Sequence, residues 1–159
     1  MKIMTFNTQH CLNFLEQRVD YDIMAKTIID QGADIIGLNE MFSNCEGSRF
    51  PNQTEKLSQL TGIENYYFAK AIDSMPDGVY GNGFLSKYKI ENVETILIPD
   101  PNPRKFVGYY ETRCVLKAKL ENGYTVLVCH FGLNSDEQEN AVKTIIENLE
   151  KEKCIESGK

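Results

Sequence analysis

The chain has 159 residues, of which 42% are hydrophobic and 25% are charged, and its formal net charge at pH 7 is −6. This composition excludes a disordered protein and is typical of a single domain with a real hydrophobic core. The acidic charge gives no general attraction for polyanions. No apolar run is long enough to span a membrane and no signal-peptide pattern is visible, so we expect a cytoplasmic protein.

The first quarter of the sequence predicts a strand, a helix and a second strand. Met1–Asn7 alternates apolar and polar residues and ends in an amide, which is typical of a short strand. Residues 8–19 are predicted to form a loop. Asp20 can cap a helix that runs to about Gln31, and Gly32 can end it. Ala33–Glu40 then returns as a strand, which gives a parallel β-α-β unit with a right-handed crossover.

The middle of the sequence predicts a loop, a short helix, a strand, a turn and two further strands. Clustered turn-forming residues mark the loop and the turn, and runs of Tyr, Phe and β-branched residues mark the strands. In chain order these segments are residues 41–51, 52–60, 65–72, 73–80, 81–90 and 91–98.

The last third predicts a hairpin and a final helix. Three prolines force a loop over residues 99–103. Tyr109–Glu121 alternates as a strand, Asn122-Gly123 is a hairpin turn signal, and Tyr124–Phe131 is the return strand. Ser135 opens a helix whose apolar residues recur at helical spacing.

Glu40 is the first candidate for chemistry. The run Ala33–Met41 is apolar enough to be a strand buried on both faces, and it delivers Asn39 and Glu40 at its end. In open α/β sheets the ligand crevice lies beyond the carboxyl ends of the strands. The alternative is that Glu40 is a solvated loop carboxylate, because charged side chains are mostly exposed.

Two other predicted strands also end in polar side chains, at Asn7 and at His130. A hard cation such as Mg²⁺ prefers oxygen ligands, so Glu40 suits a metal site. Asn7 can orient a ligand or a water, and His130 can donate to a phosphoryl oxygen as charge builds on it. The alternative for His130 is a structural residue at the end of an apolar strand.

The sequence resembles the endonuclease/exonuclease/phosphatase superfamily, whose members are Mg²⁺-dependent phosphodiesterases and phosphatases with a DNase I-like fold. Five segments carry the resemblance, in the family's order and approximate spacing, and together they span nearly the whole chain. They are Met4-Thr5-Phe6-Asn7, Ala33 to Glu40, Gly81 to Tyr88, Glu111-Thr112-Arg113 and Cys129 to Leu133.

The resemblance implies roles for four residues. Glu40 would be the metal carboxylate, binding Mg²⁺ or Mn²⁺, with Asn7 beside it. His130 would contact the scissile phosphate as a catalytic residue, and Arg113 would bind substrate near the pocket. For Arg113 a surface ion pair is an equal alternative. Asn82 is interpreted as a structural residue that holds the turn before its strand.

The resemblance also implies an α/β sandwich of two β-sheets flanked by helices, of which residues 1–159 would be the N-terminal part of one domain. The family pattern continues with a strand ending in Gly-Asp-Phe-Asn and later with an Asp-His pair, and neither motif occurs in this sequence. We therefore expect one sheet with an uncovered inner face. Self-association or a complementary C-terminal half would cover that face.

Three functions are considered. The first is a Mg²⁺-dependent phosphoesterase, incomplete as this chain, that acts on a phosphorylated small molecule or on nucleic acid. The second is a non-catalytic binding or scaffold module that keeps the fold. The third, a hydrolase using Cys129 beside His130, is disfavoured because adjacent residues on a strand point to opposite faces.

The five cysteines are scattered and form no C-x-x-C pair, so neither a disulfide framework nor a zinc site is expected. Cys114 and Cys129 lie in apolar runs and are interpreted as core residues.

Overall fold

Two β-sheets packed face to face, with helices on their outer surfaces, form the centre of the molecule. The computed structural model describes the backbone of residues 1–156 and the side chains of residues 1–151. Within that part of the chain, no helix is both long enough and apolar enough to cross a membrane. In chain order the elements are β1 (Ile3–Asn7), β2 (Leu12–Asn13), β3 (Arg18–Val19), α1 (Tyr21–Gln31), β4 (Ile35–Ser43), α2 (Gln53–Thr61), β5 (Asn65–Ser74), β6 (Gly78–Ser86), β7 (Ile90–Leu97), β8 (Cys114–Leu120), β9 (Thr125–Cys129) and α3 (Ser135–Glu156).

The first sheet has the strand order β1-β4-β6-β5, in which β1 and β4 run parallel and the other pairs are antiparallel. Helices α1 and α2 cover its outer face, where Ile28 and Leu57 share one buried cluster with Leu38. The predicted ends of α1 are confirmed. The Asp20 side chain accepts a hydrogen bond from a backbone N–H of the first turn, and Gly32 ends the helix in the left-handed conformation.

The second sheet has the antiparallel order β7-β8-β9. Its inner face packs against the first sheet, so that Leu116 and Phe84 lie in one buried cluster between the sheets. Its outer face is covered by α3, where Ala141 packs with Val115. The chain therefore builds four layers, with two sheets inside and helices on both outer surfaces.

The expectation of one sheet with an uncovered inner face is wrong for most of the molecule. Residues 90–129 form a second sheet, which covers β4, β5 and β6 from the inside. The alternation of apolar residues shows that a segment is a strand but not which sheet it joins. The expectation holds only at β1, which makes its main contacts with β4 and leaves the side chain of Ile3 62% exposed.

Several element boundaries differ from the predictions. Strand β4 continues past Glu40 to Ser43, and β6 begins at Gly78, inside the predicted turn. The short hairpin β2–β3 lies in the segment predicted to be a loop. The ends of β4 and β6 depend on pairing between residues distant in sequence, so local patterns could not fix them.

Residues 109–113 were expected to begin a strand but lie outside β8. Side chains at the start of α3 hold this segment in another conformation. The Tyr110 hydroxyl donates to Asp136, and the backbone N–H of Glu111 donates to Glu137 at 3.2 Å. The segment thereby crosses the end of the second sheet, where it borders the candidate site.

Candidate active site

Glu40 lies inside β4 at a β-bulge. The register between β4 and β6 shifts between Leu38 and Met41, and Glu40 has a positive φ of 58°. Before the bulge, the side chains of Ile36 and Leu38 point towards the helices. Directly after the bulge, the side chain of Met41 points the same way. Glu40 is therefore the extra residue in the strand, and the bulge turns its side chain away from the helical layer.

Asn7 meets Glu40 because β1 and β4 are parallel neighbours. Asn7 pairs with Asn39 at the end of β1, and its Nδ2 donates to Oε1 of Glu40 at 2.8 Å. The following loop also folds over the bulge, since the backbone N–H of His10 donates to the carbonyl of Glu40 at 2.9 Å. The end of β1 thus holds the side chain of the bulged residue, and the loop after β1 holds its backbone.

His130 directly follows β9, which packs opposite β4 in the other sheet. Its Nε2 lies 3.8 Å from Oε1 of Glu40. Burial and the positive charge of Arg113 lower the pKa of His130 below its ordinary value, against the opposing charges of Glu40 and Glu111. The ring is therefore neutral at pH 7, which leaves it able to donate through one nitrogen and accept through the other.

Arg113 lies behind His130 and is held by Glu111, a residue for which the sequence predicted no role. An Nη1–H of Arg113 donates to Nδ1 of His130, and its Nη2 lies 3.4 Å from Oε1 of Glu111. Both charged side chains are only 11% exposed. The Tyr109 hydroxyl donates to the other oxygen of Glu111 at 2.7 Å. The spacing Glu111-x-Arg113 was the available signal for this pair.

Asn82 links the two sheets beneath the site. Its Oδ1 accepts a hydrogen bond from Asn39, and its Nδ2 donates to the carbonyl of Cys114, each at 3.0 Å. Asn82 is almost fully buried, at 3% exposure. The structural role predicted for Asn82 fits this geometry, although the residue bridges two sheets and does not hold a turn.

Cys129 does not share the pocket with His130. Its side chain packs in the cluster beneath α3, near Ile145, on the outer face of the second sheet. Burial raises the pKa of the Cys129 thiol to about 11. A thiol with this pKa is almost entirely protonated at pH 7 and is a poor nucleophile. The structure thus gives no support to the cysteine-dependent hydrolase. The side chain of Cys154 lies outside the described residues.

The Glu40 carboxylate fits a Mg²⁺ ion that retains part of its water shell. The hydrogen bond from Asn7 and the approach of His130 both involve Oε1 of Glu40, which leaves Oε2 for a cation. Mg²⁺ is commonly held by one or two carboxylates together with water and substrate phosphate. Within the described residues, no cluster of three or more His, Cys, Asp and Glu side chains could enclose a metal. Glu40 would thus be the one carboxylate of an open site.

A family model described as "Endonuclease/Exonuclease/phosphatase family" matches residues 4–131 of the chain. That range contains Asn7, Glu40, Arg113 and His130, the four residues that the structure brings together at one end of the sandwich. A comparison with curated proteins finds no match.

Three of the solved structures that match this chain have TM-scores between 0.62 and 0.66. An endonuclease/exonuclease/phosphatase from Beutenbergia cavernae has a TM-score of 0.66 at 19% identity, over 87% of this chain and 40% of its own. A family protein from Leptotrichia buccalis scores 0.65 at 18% identity, over 93% of this chain and 62% of its own. A mannosyl-6-phosphatase from Bacteroides thetaiotaomicron scores 0.62 at 15% identity, over 94% and 58%.

At identities below 20%, this structural similarity shows a shared fold alone. The chain spans between 40% and 62% of the length of these three proteins.

Proposed function

Because this chain belongs to the endonuclease/exonuclease/phosphatase family, we propose that it is the N-terminal portion of a Mg²⁺-dependent phosphoesterase. The complete protein would hydrolyse a phosphodiester or a phosphomonoester by attack of water. The observation that carries the proposal is that Asn7 and His130 both approach Glu40 at one end of the sandwich. Nδ2 of Asn7 lies 2.8 Å, and Nε2 of His130 3.8 Å, from Oε1 of Glu40.

Each of these residues has a proposed task. Glu40 would hold Mg²⁺, with Mn²⁺ as a substitute, and the bound ion would supply charge stabilisation at the phosphoryl oxygens. Asn7 fixes the orientation of the Glu40 carboxylate through its hydrogen bond. The neutral His130 would donate from Nε2 to a phosphoryl oxygen of the substrate. Arg113 would add positive charge behind His130 to attract the phosphate.

The chain by itself is proposed to be incomplete. A general base must lie within hydrogen-bond reach of the proton that it removes. Glu111, a second carboxylate beside the site, is engaged by Arg113 and by Tyr109. The Gly-Asp-Phe-Asn and Asp-His motifs, which the family resemblance places further along the chain, would supply the remaining groups.

A complementary C-terminal half would fit an open position in the second sheet. Strand β9 pairs only with β8 among the described strands, so a further strand beside residues 126–129 would extend the second sheet at this edge. Beneath that edge the inward side of β1 is uncovered, with Ile3 exposed. One strand beside β9 would pair with its edge and cover Ile3. A crossover through α3 would run that strand parallel to β9, so its end would lie beside His130.

Replacing Ile3 by Asp should weaken association with the polypeptide encoded directly after Lys159 by tenfold or more, because a carboxylate would be buried without a partner. Co-expression of the two segments and affinity measurement would check this. Ile29→Asp on the outer face of α1 is the matched control, since Ile29 is 55% exposed. If residues 1–159 alone form a dimer that Ile3→Asp dissociates, self-association and not a complementary half covers this face.

The functional test is hydrolysis of p-nitrophenyl phosphate and bis-p-nitrophenyl phosphate by the two segments together. Mg²⁺-dependent release of p-nitrophenol, abolished by EDTA, is the expected result. The alternative is a non-catalytic binding or scaffold module. The observation that favours it is that Glu40 is the single metal carboxylate among the described side chains. Absence of hydrolysis by the associated segments, with Mg²⁺ present, would support that alternative.

The proposed substrate is a phosphorylated small molecule in preference to a long nucleic acid, because the net charge of −6 opposes nonspecific binding to polyanions. The proposed location is the cytoplasm. The four cysteines with described side chains are free thiols, which suits a reducing compartment.

A further inference from the structure

The guanidinium of Arg113 meets His130 from the side opposite Glu40. An Nη1–H points at Nδ1 of the imidazole, whereas Nε2 faces the Glu40 carboxylate at 3.8 Å. An arginine remains protonated at any physiological pH and has no acceptor, so Nδ1 must accept this hydrogen bond with its lone pair. A neutral ring that accepts at Nδ1 carries its hydrogen on Nε2.

We propose that Arg113 is a positioning residue that holds His130 in the tautomer with hydrogen on Nε2, so that its donor points into the pocket. The role as donor to a phosphoryl oxygen rests on the function proposed above. The tautomer itself is a property of the folded chain and can be measured without any substrate. The other tautomer would present a lone pair, and not a hydrogen, to the pocket.

The surroundings keep Arg113 in place. Its charge is paired with Glu111 at 3.4 Å, and Glu111 is in turn fixed by the Tyr109 hydroxyl at 2.7 Å. The backbone of Glu111 is bound to Glu137, at the start of α3. With 11% exposure of both charged side chains, the Arg113–His130 hydrogen bond is largely shielded from competing water. Charge-assisted hydrogen bonds of this kind are about twice as strong as neutral ones.

The test is ¹⁵N NMR of the imidazole rings in the chain of residues 1–159, at a pH where His130 is neutral. The chain contains two histidines, so His10, whose ring lies against Phe42, serves as an internal reference for the fold. In the unmodified chain we expect the Nε2–H tautomer of His130 and a through-hydrogen-bond coupling between Nδ1 and an Arg113 nitrogen. Arg113→Leu should remove the coupling and shift the tautomer ratio toward Nδ1–H by about tenfold.

Two further variants serve as controls, one for the cost of an unpaired buried charge and one for the geometry of the donor. Arg113→Met combined with Glu111→Gln removes both charges together, so neither is left buried alone. Methionine cannot donate a hydrogen bond to Nδ1, so this double variant should shift the ratio as Arg113→Leu does. Arg113→Lys keeps the charge but lacks the planar fork, so it should not restore the coupling. Hydrogen on Nδ1 in the unmodified chain, or an unchanged ratio in both charge-removing variants, overturns the inference. Absence of phosphoesterase activity from the unmodified, associated segments would instead overturn the proposed function and leave the tautomer result standing.

Discussion

Replacing Glu40 by Gln is expected to lower Mg²⁺-dependent phosphate-ester hydrolysis by the completed protein about a thousandfold. The substitution keeps the size of the side chain but removes the negative charge that would hold the cation. Metal coordination contributes several kcal/mol of charge stabilisation in the transition state, and its loss accounts for this magnitude. Initial rates measured over a range of Mg²⁺ concentrations would check the prediction.

Three controls separate a metal role from damage to the fold. Glu91→Gln changes an exposed carboxylate on β7 and should leave the rate unchanged. Glu40→Asp keeps the charge on a shorter side chain and should give an intermediate rate. Thermal unfolding of the Glu40→Gln chain should stay close to that of the parent, because Glu40 makes its side-chain hydrogen bond near the surface. An unaltered hydrolysis rate for Glu40→Gln would exclude Glu40 as the metal ligand.

Replacing Asn82 by Ala is expected to destabilise the chain by about 3 kcal/mol. The side-chain amide of Asn39 and the backbone carbonyl of Cys114 would each lose the hydrogen bond to Asn82. Both groups are buried. A buried polar group without a hydrogen bond costs about 1–3 kcal/mol. Denaturant unfolding followed by circular dichroism would measure the change in the free energy of unfolding.

The matched control is Asn92→Ala on the exposed surface of β7, which should change stability by less than about 0.5 kcal/mol. The double variant Asn39→Ala with Asn82→Ala should cost less than the sum of the two single changes, since each single change already breaks their shared hydrogen bond. A loss below about 1 kcal/mol for Asn82→Ala would show that the link between the sheets contributes little.

Local features of the fold could be predicted from the sequence. Helix α1 begins after Asp20 and ends at Gly32 because the cap and the left-handed residue act on their immediate neighbours. The sequence also predicted strand β4 from its apolar run and the hairpin turn before β9. Both predictions were possible because periodicity and turn chemistry are properties of a few consecutive residues. The family resemblance implied that Asn7 lies beside Glu40, and in the structure Asn7 pairs with Asn39 on the parallel neighbour β4.

The sequence by itself thus determined the main elements and indicated the four residues that the structure brings together at one end of the sandwich. Only the tertiary structure decided that Glu40 is the extra residue of a bulge and that β7, β8 and β9 form a separate sheet. It also decided that Arg113, held by Glu111, lies against His130. The physical reason is that strand pairing, sheet packing and the contacts of buried charges join residues far apart in the chain, and local sequence patterns do not encode these pairings.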